Sequence, residues 1–114
     1  MKYACLIYLP EEELNAMPKT EFDARVAECL AYSEEIRKSG HYVISEALQP
    51  THTAATVRVR NGKLSATDGP FAETKEQLGG FYLIDAGDLN DAIRVASRMP
   101  QARLGSVEVR PLRA

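Results

Sequence analysis

Cysteine, histidine and excess positive charge are all scarce in this chain, and each shortage removes a class of function. The two cysteines, Cys5 and Cys29, lie in apolar surroundings. Their spacing makes neither a disulfide framework nor a zinc motif, so both are expected to be reduced core residues. The two histidines, His41 and His52, have no second strong ligand at metal spacing, and no metal is expected. Lysine and arginine number 14 against 16 acidic residues, a formal net charge of -2. Such a chain has no positive field to attract a polyanion, which disfavours direct nucleic-acid binding. The apolar run within MKYACLIYLPEEE is far too short to span a bilayer, and it meets a proline and three glutamates where a cleavable leader would carry small residues. No membrane association is expected, and the cytoplasm is the expected compartment. No nucleotide fingerprint, phosphate loop or nucleophile elbow occurs, and no cofactor is expected.

What is present suffices for one core. With 114 residues, 45% of them hydrophobic, the chain has no room for a second domain and reads as a single domain over residues 1–114. Tyr3 to Leu9 is a short apolar run ending at Pro10, which suits a buried strand, and an acidic loop follows. Phe22, Val26, Cys29, Ser33 and Ile36 then recur at helical spacing. Thr20 and Asp23 read as a capping box, predicting a helix from about Glu21 to Ser39 that stops at Gly40. His41 to Leu48 reads as a second strand and Gln49 to Thr53 as loop. Ala55 to Arg60 alternates, and Asn61-Gly62 is a strong hairpin signal into Lys63 to Thr67. Gly80 to Ala86 carries four consecutive large apolar residues, as a central strand would. Asp88 caps a second helix with the stripe Leu89, Ala92, Ile93, Ala96 and Met99, closed by Pro100, and Ser106 to Arg110 makes a last alternating strand.

Without the inserted hairpin the order is strand, helix, strand, strand, helix, strand. The expected fold is therefore α+β, a ferredoxin-like split βαβ unit with an inserted β-hairpin. Two helices cover only one face of such a sheet. Because the central strands are apolar on both faces, a homodimer packed sheet on sheet is expected.

The run Asp68 to Gly80, DGPFAETKEQLGG, is the densest in ionisable and conformationally special residues, and is where a small scaffold would place binding or catalysis. Asp68 reads as a general acid or base if a dimer cleft desolvates it, or as a turn residue bonding its own backbone. Glu73 is the nearest second carboxyl, and two converging carboxyls would titrate apart into an acid and a base. His52, in the loop before the hairpin, supplies a side chain that titrates near neutrality. These three are the candidate catalytic residues. Phe71 stacks on a ligand or plugs a core or dimer seam. Lys75 is a candidate ligand contact on a face that mixed charge also explains by solvation. Glu46 either contacts ligand or pairs with Arg110, and Tyr32 either offers its hydroxyl to the cleft or packs in the core.

DGPF, together with EALQP at Glu46 to Pro50 and GSVEVRP at Gly105 to Pro111, resembles the YCII-related family in its DGPF-domain branch over nearly the whole chain. The resemblance implies a dimeric α/β barrel built from two ferredoxin-like subunits, and an association with extracytoplasmic-function sigma factors. The wider family implies a His-Asp pair in a cleft, with the histidine on the first helix. Residues Ala24 to Lys38 contain no histidine, and offer Cys29 and Tyr32 near that place. Two functions follow as expectations. One is binding of a small molecule in the dimer cleft with cofactor-free acid-base catalysis. The other is a non-catalytic regulatory or interaction module acting with a sigma factor.

Overall fold

A computed structural model describes residues Met1–Arg113 as a mixed α+β fold with antiparallel sheets. The elements are β1 (Lys2–Leu9), α1 (Glu11–Ala16), α2 (Lys19–Lys38), β2 (Tyr42–Ala47), β3 (Ala55–Arg60), β4 (Lys63–Asp68), β5 (Gln77–Asp85), α3 (Leu89–Ser97), α4 (Gln101–Leu104) and β6 (Ser106–Pro111). Four strands form a sheet in the order β2-β5-β1-β6, and β3 and β4 form a sheet of their own. β1 alternates as a central strand must. Tyr3, Cys5 and Ile7 are buried under the helices while Ala4, Leu6 and Tyr8 face the other side half-buried. Opposite them on β5, Tyr82 and Ile84 join the core and Phe81 and Leu83 share the second face. Tyr32 and Ile36 of α2 and Val95 and Ala96 of α3 close the core above the sheet, with Cys5, Ile84 and Met99 wholly enclosed.

Several boundaries differ from the sequence-based expectation for local physical reasons. The acidic segment after Pro10 is helical, because Glu11, Glu12 and Glu13 occupy the first turn of α1, where carboxylates meet the positive end of the helix dipole. α2 starts at Lys19 with Pro18 as its cap, so Thr20 caps nothing. Asp23 instead takes Lys19 Nζ at 2.7 Å, one turn away along the exposed face. Only the C-terminal half of α2 is buried, at Tyr32, Ser33 and Ile36. After Ser97 the chain does not simply stop at Pro100 but begins the short α4 there.

The hairpin forms as expected. Asn61 and Gly62 both take positive φ, 52° and 74°, the twist a two-residue turn needs. Pairing then runs unbroken from Arg60 opposite Lys63 to Ala55 opposite Asp68, which makes Asp68 the last residue of β4 rather than the first of a loop. Every β4 side chain is exposed. The ribbon therefore stands off the main body, and the radius of gyration is 15.9 Å, against about 13 Å for a compact chain of this length.

Three side-chain ties lock the helices in place. Tyr32 Oη donates to the Val95 carbonyl at 2.6 Å, joining α2 to α3. Ser33 Oγ and Tyr82 Oη meet at 2.8 Å, joining α2 to β5. At the start of α3, Asp88 caps as expected by accepting from Asp91 N at 2.8 Å. Asp91 itself accepts from Gly87 N at 3.0 Å and faces His41 Nε2 at 3.1 Å, while His41 Nδ1 meets Ser39 Oγ at 2.7 Å. The end of α2 is thereby fastened to the start of α3.

Two measurements test these ties. The Val95 carbonyl also receives Arg98 N, so Tyr32→Phe should lower unfolding stability by only about 0.5–1.5 kcal/mol, read from the urea midpoint. The Gly87 amide first, then His41, hold the Asp91 carboxyl below the ordinary range. A carboxyl depressed in the folded state contributes stability above its unfolded pKa, about 3.9, and loses it as pH falls through the folded value. Wild type should therefore lose stability more steeply than Asp91→Asn when urea midpoints are followed from about pH 6 to about pH 2. Parallel slopes would refute the assignment.

Candidate functional site

A cleft of about 530 Å³ opens between the first half of α2 and the sheet. Its origin lies in two residues of β5. Register slips between Ile7, opposite Gly80, and Tyr8, opposite Leu78, so that Gly79 is left over. A Cβ on Gly80 would lie 2.7 Å from the Glu46 carbonyl oxygen, and one on Gly79 would press to 3.1 Å from Leu9 Cδ1. Only glycine fits at Gly80, and β5 presents no side chain at two successive positions. Above this bare floor, Phe22 and Val26 continue the apolar stripe of α2 yet remain 43% and 41% exposed. Leu14 of α1 and Leu104 of α4 complete its apolar lining. The volume and the predominantly apolar walls are those of small-molecule sites.

Few polar groups face this space, and they differ in how well they are satisfied. Glu11 is fully engaged: its carboxylate accepts from Thr51 Oγ1 at 2.8 Å and from Thr51 N at 3.2 and 3.3 Å. Arg25 is not. Its Nη2 lies 3.6 Å from Glu21 Oε1, beyond good hydrogen-bond length, and its Nε is buried without a partner. Gln101 Oε1, at the start of α4, is likewise buried and unpaired. Cys29 borders the cleft instead of filling the core as expected, whereas Cys5 is a core residue. Burial pushes the Cys29 thiol up, Glu28 adds to the effect, and Arg103 and Arg25 partly oppose it. Burial alone raises the Cys5 thiol to about 11. Neither thiol is an activated nucleophile.

The residues singled out from sequence fall mostly elsewhere. Asp68 is exposed at the base of the ribbon, and the following Gly69, at φ +103°, donates its N–H to the Ala54 carbonyl at 2.8 Å. Thr56 Oγ1 donates to the Gly69 carbonyl at 2.9 Å, so the DGPF turn clamps the ribbon's root. His52, in the 3₁₀ turn Thr51–Thr53 that leads into β3, is exposed. Glu73 and Lys75 are exposed in a segment folded by Gln77 Nε2, which donates to the Ala72 and Thr74 carbonyls. Among the described residues, no hydrogen bond joins any two of Asp68, Glu73 and His52, and none of the three lines the cleft. Phe71 plugs no core of its own chain: it is 77% exposed, with the Arg58 guanidinium 5.4 Å from its ring centre. Tyr32 is a core residue whose hydroxyl holds Val95. Glu46 borders the cleft, although alternation along β2 turns its side chain to the uncovered face with Phe81. No ion pair joins Glu46 to Arg110, which binds Glu108. The His-Asp pair that does form, His41 with Asp91, involves a histidine beyond the end of α2 and lies outside the cleft.

Arg25 and Gln101 were not legible as site residues, since each is ordinary in its helix. Gly79-Gly80 inside an apolar strand was the available signal, because consecutive glycines there mark a bulge or a close approach.

Comparison with known proteins bears on the whole chain. The YCII-related domain matches residues 1–114. An uncharacterised protein of Rhizobium meliloti (strain 1021) is 41% identical over 114 residues, which cover 98% of this chain and 92% of the relative. With the match spanning every element that builds the cleft, the chain belongs to the YCII-related domain family.

Proposed function

We propose that this chain is a small-molecule-binding protein of the DGPF branch that works as a homodimer. The observation that carries the reading is the cleft itself: an apolar space of about 530 Å³ over a glycine floor, with a buried polar atom left unpaired in each of two lining residues, Arg25 and Gln101. Unmade hydrogen bonds of buried groups are costly, and proteins retain them chiefly where something else completes them.

The uncovered face of the four-stranded sheet supports the dimer. Leu6, Phe81 and Leu83 lie on it half-buried and Ile44 lies on it 44% exposed. The strand order β2-β5-β1-β6 around two helices is consistent with a ferredoxin-like unit, and two such sheets packed face to face would make a dimeric α/β barrel. Acid-base chemistry in such a dimer would run through Asp68 and His52, whose segments lie side by side, with Glu73 as a third group. A second reading has one observation in its favour. Val57, Val59 and Leu64 form an apolar ribbon face that is 59–72% exposed, as an interaction module acting with a sigma factor would require.

Two experiments separate these readings. Light scattering at micromolar concentration should give twice the chain mass for wild type and the chain mass for Phe81→Arg; a stable wild-type monomer would sink the dimer. In a thermal-shift screen of a metabolite library, a ligand at a hundred times its dissociation constant should stabilise wild type by about 2.7 kcal/mol. The shift should vanish in Val26→Trp, which fills the cleft. Hits unaffected by Val26→Trp would place binding elsewhere. Absence of hits, combined with sigma-factor capture lost in Val59→Asp, would favour the interaction module.

A further inference from the structure

The chemistry of the cleft's ligand can be narrowed, on the reading that the cleft is a small-molecule site. Its polar groups are not evenly distributed. At the start of α1, Glu11 accepts from the Thr51 N–H and hydroxyl, which hold its carboxylate in place. On the α4 side, the covered Oε1 of Gln101 lacks a donor and the Arg25 guanidinium lacks a firm acceptor. Arg103 of α4 pairs with Glu28 of α2, one helical turn from Arg25, which puts Arg25 at the α4 end of the cleft. Arg103 is itself paired with Glu28, leaving Arg25 as the loosely held cation there. Its apolar lining includes Leu9, Leu14, Phe22 and Val26.

We propose that the cleft takes an apolar carboxylic acid that also carries a hydrogen-bond donor, such as a hydroxyl, near its carboxylate. The apolar body lies on the four wall side chains, the carboxylate accepts from Arg25, and the donor meets Gln101 Oε1 once that side chain, whose oxygen is covered in the free chain, turns into the cleft. The Nε and Nη2 hydrogens lie along one edge of a guanidinium, the edge that grips a carboxylate with two parallel bonds. In the free chain Nε is covered and unpaired, and Nη2 is 3.6 Å from Glu21. A carboxylate that draws the side chain into the cleft therefore replaces one loose contact and one missing bond with two good ones. A neutral ligand gains nothing there, and a cationic ligand meets Arg25 unfavourably.

Calorimetric titration with defined probes tests the inference. Phenyllactate and 2-hydroxyoctanoate are each compared with their neutral amides and with their deoxy acids, in wild type, Arg25→Met, Arg25→Lys, Gln101→Leu and Val26→Trp. Wild type should bind a hydroxy acid roughly tenfold or more tighter than its amide, the scale of one charge-assisted hydrogen bond. That preference should collapse in Arg25→Met and return in part in Arg25→Lys, which keeps the charge without the planar fork. The preference for hydroxy over deoxy acid should disappear in Gln101→Leu, with the acid-over-amide preference retained. Equal binding of acid and amide in wild type, or an acid preference that survives Arg25→Met, would overturn the inference. If amides then still bind and Val26→Trp abolishes them, the cleft remains a ligand site and only its selectivity for acids is wrong. If neither acids nor amides bind wild type, both readings fall together.

Discussion

Strands β1 and β5 carry large side chains on both faces, but α2 and α3 reach only one of them. Tyr3, Cys5, Ile7, Tyr82 and Ile84 point under the helices and build the core, and the alternation that puts them there obliges Leu6, Tyr8, Phe81 and Leu83 to point the other way. Register cannot relieve the conflict, since a one-residue slip would exchange the faces without changing how many apolar groups are left over. Fully burying one such side chain is worth about 1.5–3 kcal/mol. All four are already half-buried, so covering them recovers only part of that for each, which is still an appreciable fraction of the stability of a small domain. The proposed pairing of two copies follows from that imbalance more directly than from any motif.

The same one-sidedness produces the cleft. A helix of 20 residues is about 30 Å long, longer than the part of the sheet that offers side chains to pack on. Its last turns find Tyr82 and Val95 and are buried. Its first turns pass over Gly79 and Gly80, where β5 has nothing to offer, and Phe22 and Val26 are left lining open space. The glycines are not there for turn geometry. Gly80 lets the Glu46 carbonyl approach to a distance that any Cβ would prevent, so the close pairing of β2 with β5 and the emptiness above it have one cause.

How much of this was legible in the sequence divides along the range of the forces involved. The Asn61-Gly62 hairpin, the Asp88 cap and the strand periodicities are set by neighbours within a few residues, and they appear where expected. Thr20 failed as a cap because Pro18, two residues earlier, already starts the helix and Lys19 takes Asp23. The acidic segment failed as a loop because its three glutamates are placed where a helix welcomes them. Beyond local range, little could be read. Arg25 and Gln101 come to the cleft only through the meeting of α2 and α4 over the sheet, and Tyr32 lies in the core with its hydroxyl bound to Val95, 63 residues away.

The run Asp68 to Gly80 divides between two places: its last four residues, Gln77 to Gly80, line the cleft, while DGPF lies where the ribbon joins the body. Asp68 ends β4, Gly69 supplies the positive φ, and its amide and carbonyl are both bound across the ribbon's root by Ala54 and Thr56. Thr74 and Gln77 then fold the following segment back so that β5 enters the sheet at Gln77, two residues ahead of the glycines. The run therefore sets where β5 begins, and with it which residue of β5 is left over opposite Ile7 and Tyr8. DGPF thus bears on the cleft through the register of β5, and the end of the same run bears on it by contact, since Gly79 and Gly80 are its floor.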